Sequence, residues 1–197
     1  MDEKLKRYQG IFPAFYACYD DTGRVSTSRT KSLAKYLLAK GVTGLYVGGS
    51  SGECIYQSVE ERKAILEAVM DAVGGKLVVI AHVACNNTAD SCELAQHAES
   101  LGVDAIAAIP PIYFHLPPYA IADYWNTISA AAPNTDLSSI TSHSLRVSRS
   151  ARSFCRKWLK IRASSALKTR LCRRRISRCG LMRPSASSSC STVRTSS

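Results

Sequence analysis

From residue 10 to residue 131 short apolar runs alternate with longer amphipathic stretches, and the two periods define the elements. Residues 10–16 (GIFPAFY), 44–47 (GLYV), 77–83 (LVVIAHV) and 104–109 (DAIAAI) are near-continuous apolar runs of strand length. Between and after them the spacing predicts helices over 26–40, 59–73, 88–101 and 119–131; the first carries apolar Leu33, Tyr36 and Leu37 at helical intervals. Their ends carry chemical punctuation. Ser58 and Glu61 form a capping-box pattern, Gly41, Gly74-Gly75 and Gly102 stop three helices, and Pro110-Pro111 break the last apolar run.

Strand starts recur every 27 to 34 residues. Apolar strands separated by amphipathic helices imply a parallel sheet covered by helices, so the fold class is α/β. No GxGxxG turn follows the first run, which argues against a doubly wound dinucleotide-binding sheet. Four βα units are half of a TIM (βα)₈ barrel, whose complete form takes roughly 250 residues. The pattern stops at Asp136, where a fifth strand is expected to begin.

Charge breaks at the same place. Residues 1–136 hold all 15 Asp and Glu and 11 of the 26 Lys and Arg, whereas 137–197 hold 15 Lys and Arg, 17 Ser and no acid. The sequence therefore divides into a half-barrel over 1–136 and a Ser/Arg-rich segment over 137–197, which is expected to be disordered for want of periodicity and of acids to pair its cations. The overall charge of +11 averages two unlike parts and carries no argument about the first. The start MDEK shows no targeting pattern, and no apolar run is long enough to span a bilayer, so a cytoplasmic protein with no membrane partner is expected. Eight cysteines, at 18, 54, 85, 92, 155, 172, 179 and 190, form no CxxC pair and read as free thiols. His82, His97, His115 and His143 lack metal-ligand spacing, so no metal and no cofactor is expected. His82, inside an apolar run, reads as a satisfied core residue.

Candidate chemistry sits where strands end. Gly48-Gly49-Ser50-Ser51-Gly52-Glu53 follows the run at 44–47, at the face where barrel active sites are built. Glycines let the backbone approach a ligand, and adjacent hydroxyls suit a small carboxylate; the same hexapeptide also suits a plain Gly/Ser turn. No Gly-Lys-Ser/Thr follows, so it is not a phosphate loop. Pro110-Pro111-Ile112-Tyr113-Phe114 follows the fourth run on the same face, and Tyr113 there can relay a proton or simply pack.

Together GLYVGGSSGE at 44–53, SVEERK at 58–63, LVVIAHVACNNTADS at 77–91 and LGVDAIAAIPPIYF at 101–114 resemble the N-acetylneuraminate lyase/dihydrodipicolinate synthase family. The resemblance covers residues 8–136, and GGSSGE is nearer the lyase branch than the Gly-Thr-Thr-Gly-Glu usual in the synthases. It implies a (βα)₈ class I aldolase that works through a pyruvate Schiff base, needs no cofactor and assembles as a homotetramer. By the same resemblance Ser50 and Ser51, with Gly49 beside them, hold the pyruvate carboxylate, and Tyr113 is the tyrosine lent to a neighbouring subunit's proton relay. The substrate implied is a small molecule, sialic acid or pyruvate with an aldehyde, and not a nucleic acid.

Two family residues are absent: the general acid/base tyrosine of a YNIPQ-like segment, and the Schiff-base lysine of a VIGVKNSS-like segment. Both strings reappear if 137–197 is read one nucleotide out of register. Residues 139–144 admit codons that regroup as YNIPQ, 163–171 as VIGVKNSS, and 191–197 as FNGPDEQ. The tyrosine and lysine codons then fall at Ile140 and Lys168, 28 apart, the family's own spacing. The expectation is a frameshift after Asp136 and an inactive chain. The rival reading, a basic RNA-binding tail around Arg173-Arg174-Arg175, is separated from it by measuring nucleic-acid affinity against salt.

Overall fold

The computed structural model describes residues 7–113 and 116–139. Most of the segment at 137–197, with its expected disorder, lies outside the described residues, as do His115 and His143. The elements run α1 (Thr27–Ala39), β1 (Gly44–Val47), a 3₁₀ turn (Ser50–Gly52), α2 (Val59–Val73), β2 (Val78–His82), α3 (Thr88–Ser100), β3 (Ala105–Ala108), α4 (Pro118–Ala131) and β4 (Asp136–Ser139). The four strands form one parallel sheet in the order β1-β2-β3-β4. Each helix packs against the next, α1 on α2, α2 on α3 and α3 on α4. This is half of a (βα)₈ barrel.

Local chemistry explains the boundaries. Ser58 Oγ accepts the Glu61 N–H at 3.2 Å while Glu61 Oε2 accepts the Ser58 N–H at 2.8 Å, so the capping box starts α2 where expected. Ser26 and Asn87 cap α1 and α3 in the same way with one side-chain bond each. Helix α4 begins on Pro118, a first-turn position whose N–H would be unpaired in any case.

The run at 10–16 departs from expectation. It lies beside β1 but makes only a single parallel bridge, Ala14 with Tyr46. The Pro13 carbonyl accepts the Tyr46 N–H at 3.1 Å and the Phe15 N–H donates to the Tyr46 carbonyl at 2.8 Å. The next ladder bond back would need an N–H on Pro13, and proline has none, so the strand is not completed. The strand expected at Asp136 is present and crosses the compositional break: β4 pairs Asp136 through Ser139 with Ala105 through Ala108.

Alternation gives the sheet two faces. Leu45, Val47, Val79, Ala81, Ile106 and Ala108 join the helix residues Ile65, Val69, Leu94, Ala98 and Ile128 in the core. Tyr46, Ile80 and Ala105 stand in one row on the opposite face, the barrel interior, and His82 with Ala107 continues it towards the C-terminal ends.

Candidate active site

The strand before the Gly/Ser loop decides the loop's shape. Gly48 turns the chain out of β1 with φ +70°, a left-handed conformation that favours glycine. A Cβ on Gly49 would stand 2.5 Å from Cε1 of Tyr46, so this glycine is needed for the tyrosine ring to lie against the loop. Gly52 and Glu53 donate to the carbonyls of Gly49 and Ser50 at 2.9 and 3.0 Å, closing the 3₁₀ turn. Glu53 then takes φ 59°, unusual for a residue with a side chain. Its carboxylate accepts the Tyr19 hydroxyl at 2.7 Å, and Tyr19 accepts from Gln57 Nε2 at 3.2 Å, which holds the strained residue in place.

Ser50 and Ser51 are exposed at the C-terminal end of β1, and neither hydroxyl is bonded to any described residue. Two unengaged hydroxyls on a turn braced on both sides are suited to receive a carboxylate.

The bracing comes from two buried cationic or basic side chains that sequence reasoning did not assign to the site. His82 Nδ1 lies 2.8 Å from the Gly48 carbonyl. Burial lowers the imidazole from 6.5 to about 4, so the ring is neutral at ordinary pH; a carbonyl only accepts, hence Nδ1 carries the hydrogen. His82 is thus a satisfied interior residue, as read from sequence, and also the clamp on the loop.

Arg62, 6% exposed, reaches from α2 to the end of β2. Its Nη2 donates to the His82 carbonyl at 2.7 Å and its Nη1 to the Ala84 carbonyl at 3.0 Å and the Cys85 sulfur at 2.9 Å. No carboxylate pairs with it among the described residues, and its buried Nε has no partner. Burial raises the Cys85 thiol in spite of this neighbour, so it remains a thiol. The four described cysteines are all free.

Tyr113 lies elsewhere on the same end of the sheet. It is 78% exposed and lines a cavity of about 530 Å³ with Asn86, Thr88, Tyr119, Asp123 and Tyr124. Gly49, Ser50 and Ser51 are not part of that cavity. The loops after β2 and β3 are tied there: Ile112 N–H donates to Asn86 Oδ1 at 3.0 Å, and the Tyr124 hydroxyl donates to the Cys85 carbonyl at 3.0 Å. Among the described residues no cluster of three His, Cys, Asp or Glu side chains could hold a metal ion, and no helix is long and apolar enough to cross a membrane.

Known proteins share this architecture. The chain is 71% identical over 132 residues to an N-acetylneuraminate lyase of Mediterraneibacter gnavus, which covers 67% of this chain and 42% of that one. It is 34% identical over 131 residues to an N-acetylneuraminate lyase of Salmonella paratyphi B, covering 66% and 43%. Among solved structures, a catalytic-lysine mutant of the Ruminococcus gnavus sialic acid aldolase superposes with a TM-score of 0.76 at 62% identity, over 79% of this chain and 51% of that one. The chain spans about two fifths of the length of the curated relatives it matches. The family model of the dihydrodipicolinate synthetase family covers residues 7–143, and the chain belongs to that family.

Proposed function

We propose that this chain carries the N-terminal half of a Schiff-base aldolase that cleaves N-acetylneuraminate to N-acetylmannosamine and pyruvate. The observation that carries the reading is the Ser50–Ser51 turn: two exposed, unengaged hydroxyls at the end of β1, within a stretch 71% identical to a protein named N-acetylneuraminate lyase. In this reading Gly49, Ser50 and Ser51 receive the pyruvate carboxylate, while Tyr113 serves the proton relay of a neighbouring subunit in a cytoplasmic homotetramer. The half-barrel over 1–136 supplies recognition; covalent chemistry belongs to the other half. There a lysine amine adds to the keto carbon, water leaves, and the protonated imine accepts the electron pair of the breaking C–C bond.

This chain has no lysine in the family's sequence context, so the 197-residue polypeptide is expected to show no lyase activity. Insertion of one T after the codon of Asp136 tests the reading and its frameshift component together. The expected product has about 300 residues, near the size of a full barrel, reads DFVIYNIPQ after Thr135, and gains the mass of pyruvate on borohydride reduction. Ser50→Ala with Ser51→Ala should then weaken pyruvate binding, and Tyr113→Phe should slow turnover more than binding. An early stop codon, or a soluble product that takes up no pyruvate, would overturn it. The family description itself supports one alternative, condensation of pyruvate with an aldehyde in the manner of dihydrodipicolinate synthase; assaying the restored chain in both directions with sugar and non-sugar aldehydes separates the two.

A further inference from the structure

The parallel bridge between Ala14 and Tyr46 fixes what the end of the first apolar run faces. Side chains alternate along extended chain and Phe15 is buried under the helices, so Phe12, Ala14 and Tyr16 turn to the barrel interior. Phe12 agrees: its ring lies where a Cβ on Gly44 would stand, and Gly44 alternates onto the same face of β1 as Tyr46. Two residues beyond the bridge Tyr16 comes level with Gly48. The register of the sheet carries that uppermost row on through His82, Ala107 and Ser138. Gly48 has no side chain, His82 is buried with Nδ1 on the Gly48 carbonyl, and Ala107 is buried. Tyr16 is 66% exposed, and its hydroxyl meets no described residue. The serine turn closes on this same segment. A Cβ on Gly52 would stand 2.8 Å from the Phe15 carbonyl, so the Ser50–Gly52 turn lies against the residue before Tyr16.

We propose that Tyr16 is a substrate-contacting residue, whose ring and phenol receive the hydroxylated, aldehyde-derived half of the substrate that Ser50 and Ser51 hold by its carboxylate. The inference rests on the aldolase reading and extends it to the other half of the ligand. A phenol has no positive charge to offer a carboxylate, so Tyr16 does not compete with the serine turn for that group. An aromatic face with one hydroxyl suits a polyhydroxylated chain, whose C–H groups lie on the ring while a hydroxyl bonds the phenol. Position selects the same half. Tyr16 stands in the uppermost row, at the mouth of the interior, where the part of the substrate beyond the pyruvate carbons must extend. Tyr46, one row lower, is already used by the turn, its ring lying against Gly49.

The test uses the full 197-residue chain grown with 3-fluorotyrosine, the Tyr16 fluorine signal being the one that Tyr16→Phe removes. Pyruvate and N-acetylneuraminate are titrated separately. The Tyr16 signal is expected to move with N-acetylneuraminate and to stay in place with pyruvate. Tyr16→Ala should lower the affinity for N-acetylneuraminate about tenfold and leave that for pyruvate unchanged, while Tyr16→Phe, which keeps the ring, should lose less. Unchanged signals from the other tyrosines show that each variant folds. A Tyr16 signal indifferent to N-acetylneuraminate overturns the proposal, as does an equal loss for both ligands in Tyr16→Ala. Binding of both ligands that survives Ser50→Ala with Ser51→Ala, with the Tyr16 shift intact, upholds the Tyr16 contact and counts against the serine turn alone. A chain that binds neither ligand overturns both.

Discussion

The two ends of the strands satisfy their polar groups by opposite means. At the N-terminal ends an acid does the work. Asp104 Oδ2 accepts the Val79 N–H at 2.8 Å, its Oδ1 pairs with Arg7 at 3.1 Å, and its carbonyl accepts the Tyr8 hydroxyl at 2.8 Å. Charge meets charge there, near solvent, and nothing is left over. At the C-terminal ends Arg62 is buried against carbonyls and a thiol without an acid, His82 is neutral, and Ser50 and Ser51 keep their hydroxyls unengaged. The first arrangement is one a protein uses to close a surface. The second leaves a buried guanidinium without an acid and two serine hydroxyls without a partner among the described residues, at the end of the strands where barrel sites are built.

If this contrast is right, breaking the C-terminal end should cost more than breaking the N-terminal end. Arg62→Met should have the largest effect. It strands the carbonyls of His82 and Ala84 in a buried setting, a loss of about 3 kcal/mol in urea unfolding.

Acid should come next, through His82. Its folded value of about 4 lies below the ordinary 6.5, so the unfolded chain binds the extra proton. The contribution is complete above 6.5, declines as pH falls towards about 4, and declines no further below that. Over the window it amounts to on the order of 3 kcal/mol, and His82→Asn should flatten this part of the stability profile relative to the parent.

Gly49→Ala forces a methyl against Tyr46 and should cost about 1–3 kcal/mol, read as a lower thermal midpoint. Asp104→Asn should cost least, about 0.5 kcal/mol at low salt and less at high salt, because the Arg7 pair is partly exposed and screened. Equal losses for Arg62→Met and Asp104→Asn would erase the distinction between the two ends.

Much of the scaffold was legible along the chain because its signals are local. Helix α2 runs from Val59 to Val73 as expected, since Ser58, Glu61 and Gly74 mark it within one turn at each end. Residues 10–16 misled for an equally local reason: their composition is that of a strand, but the ladder requires an N–H where Pro13 stands. The Ser50–Ser51 turn was visible as a Gly/Ser loop between an apolar run and a capped helix. Its support was not. Arg62 looks like one more charge in an exposed EERK segment, and only the packing of α2 against the end of β2 puts its guanidinium on the carbonyls 20 and 22 residues ahead. The placement of Tyr113 in a cavity apart from the serines likewise depends on where α4 lies, which no spacing encodes.

The neighbour order β1-β2-β3-β4 is also the order in which a ribosome would deliver the strands. Every pairing joins a strand to the one finished just before it, some 30 residues earlier, and every helix leans on its predecessor. Loop closure between such near neighbours carries a small entropic cost and is fast. Nascent chain emerging from the exit tunnel can therefore add one βα unit at a time to a growing, one-directional stack without waiting for residues not yet synthesised. A sheet built this way has a first edge and a last edge in time as well as in space, and the pause between them is long on the scale of folding.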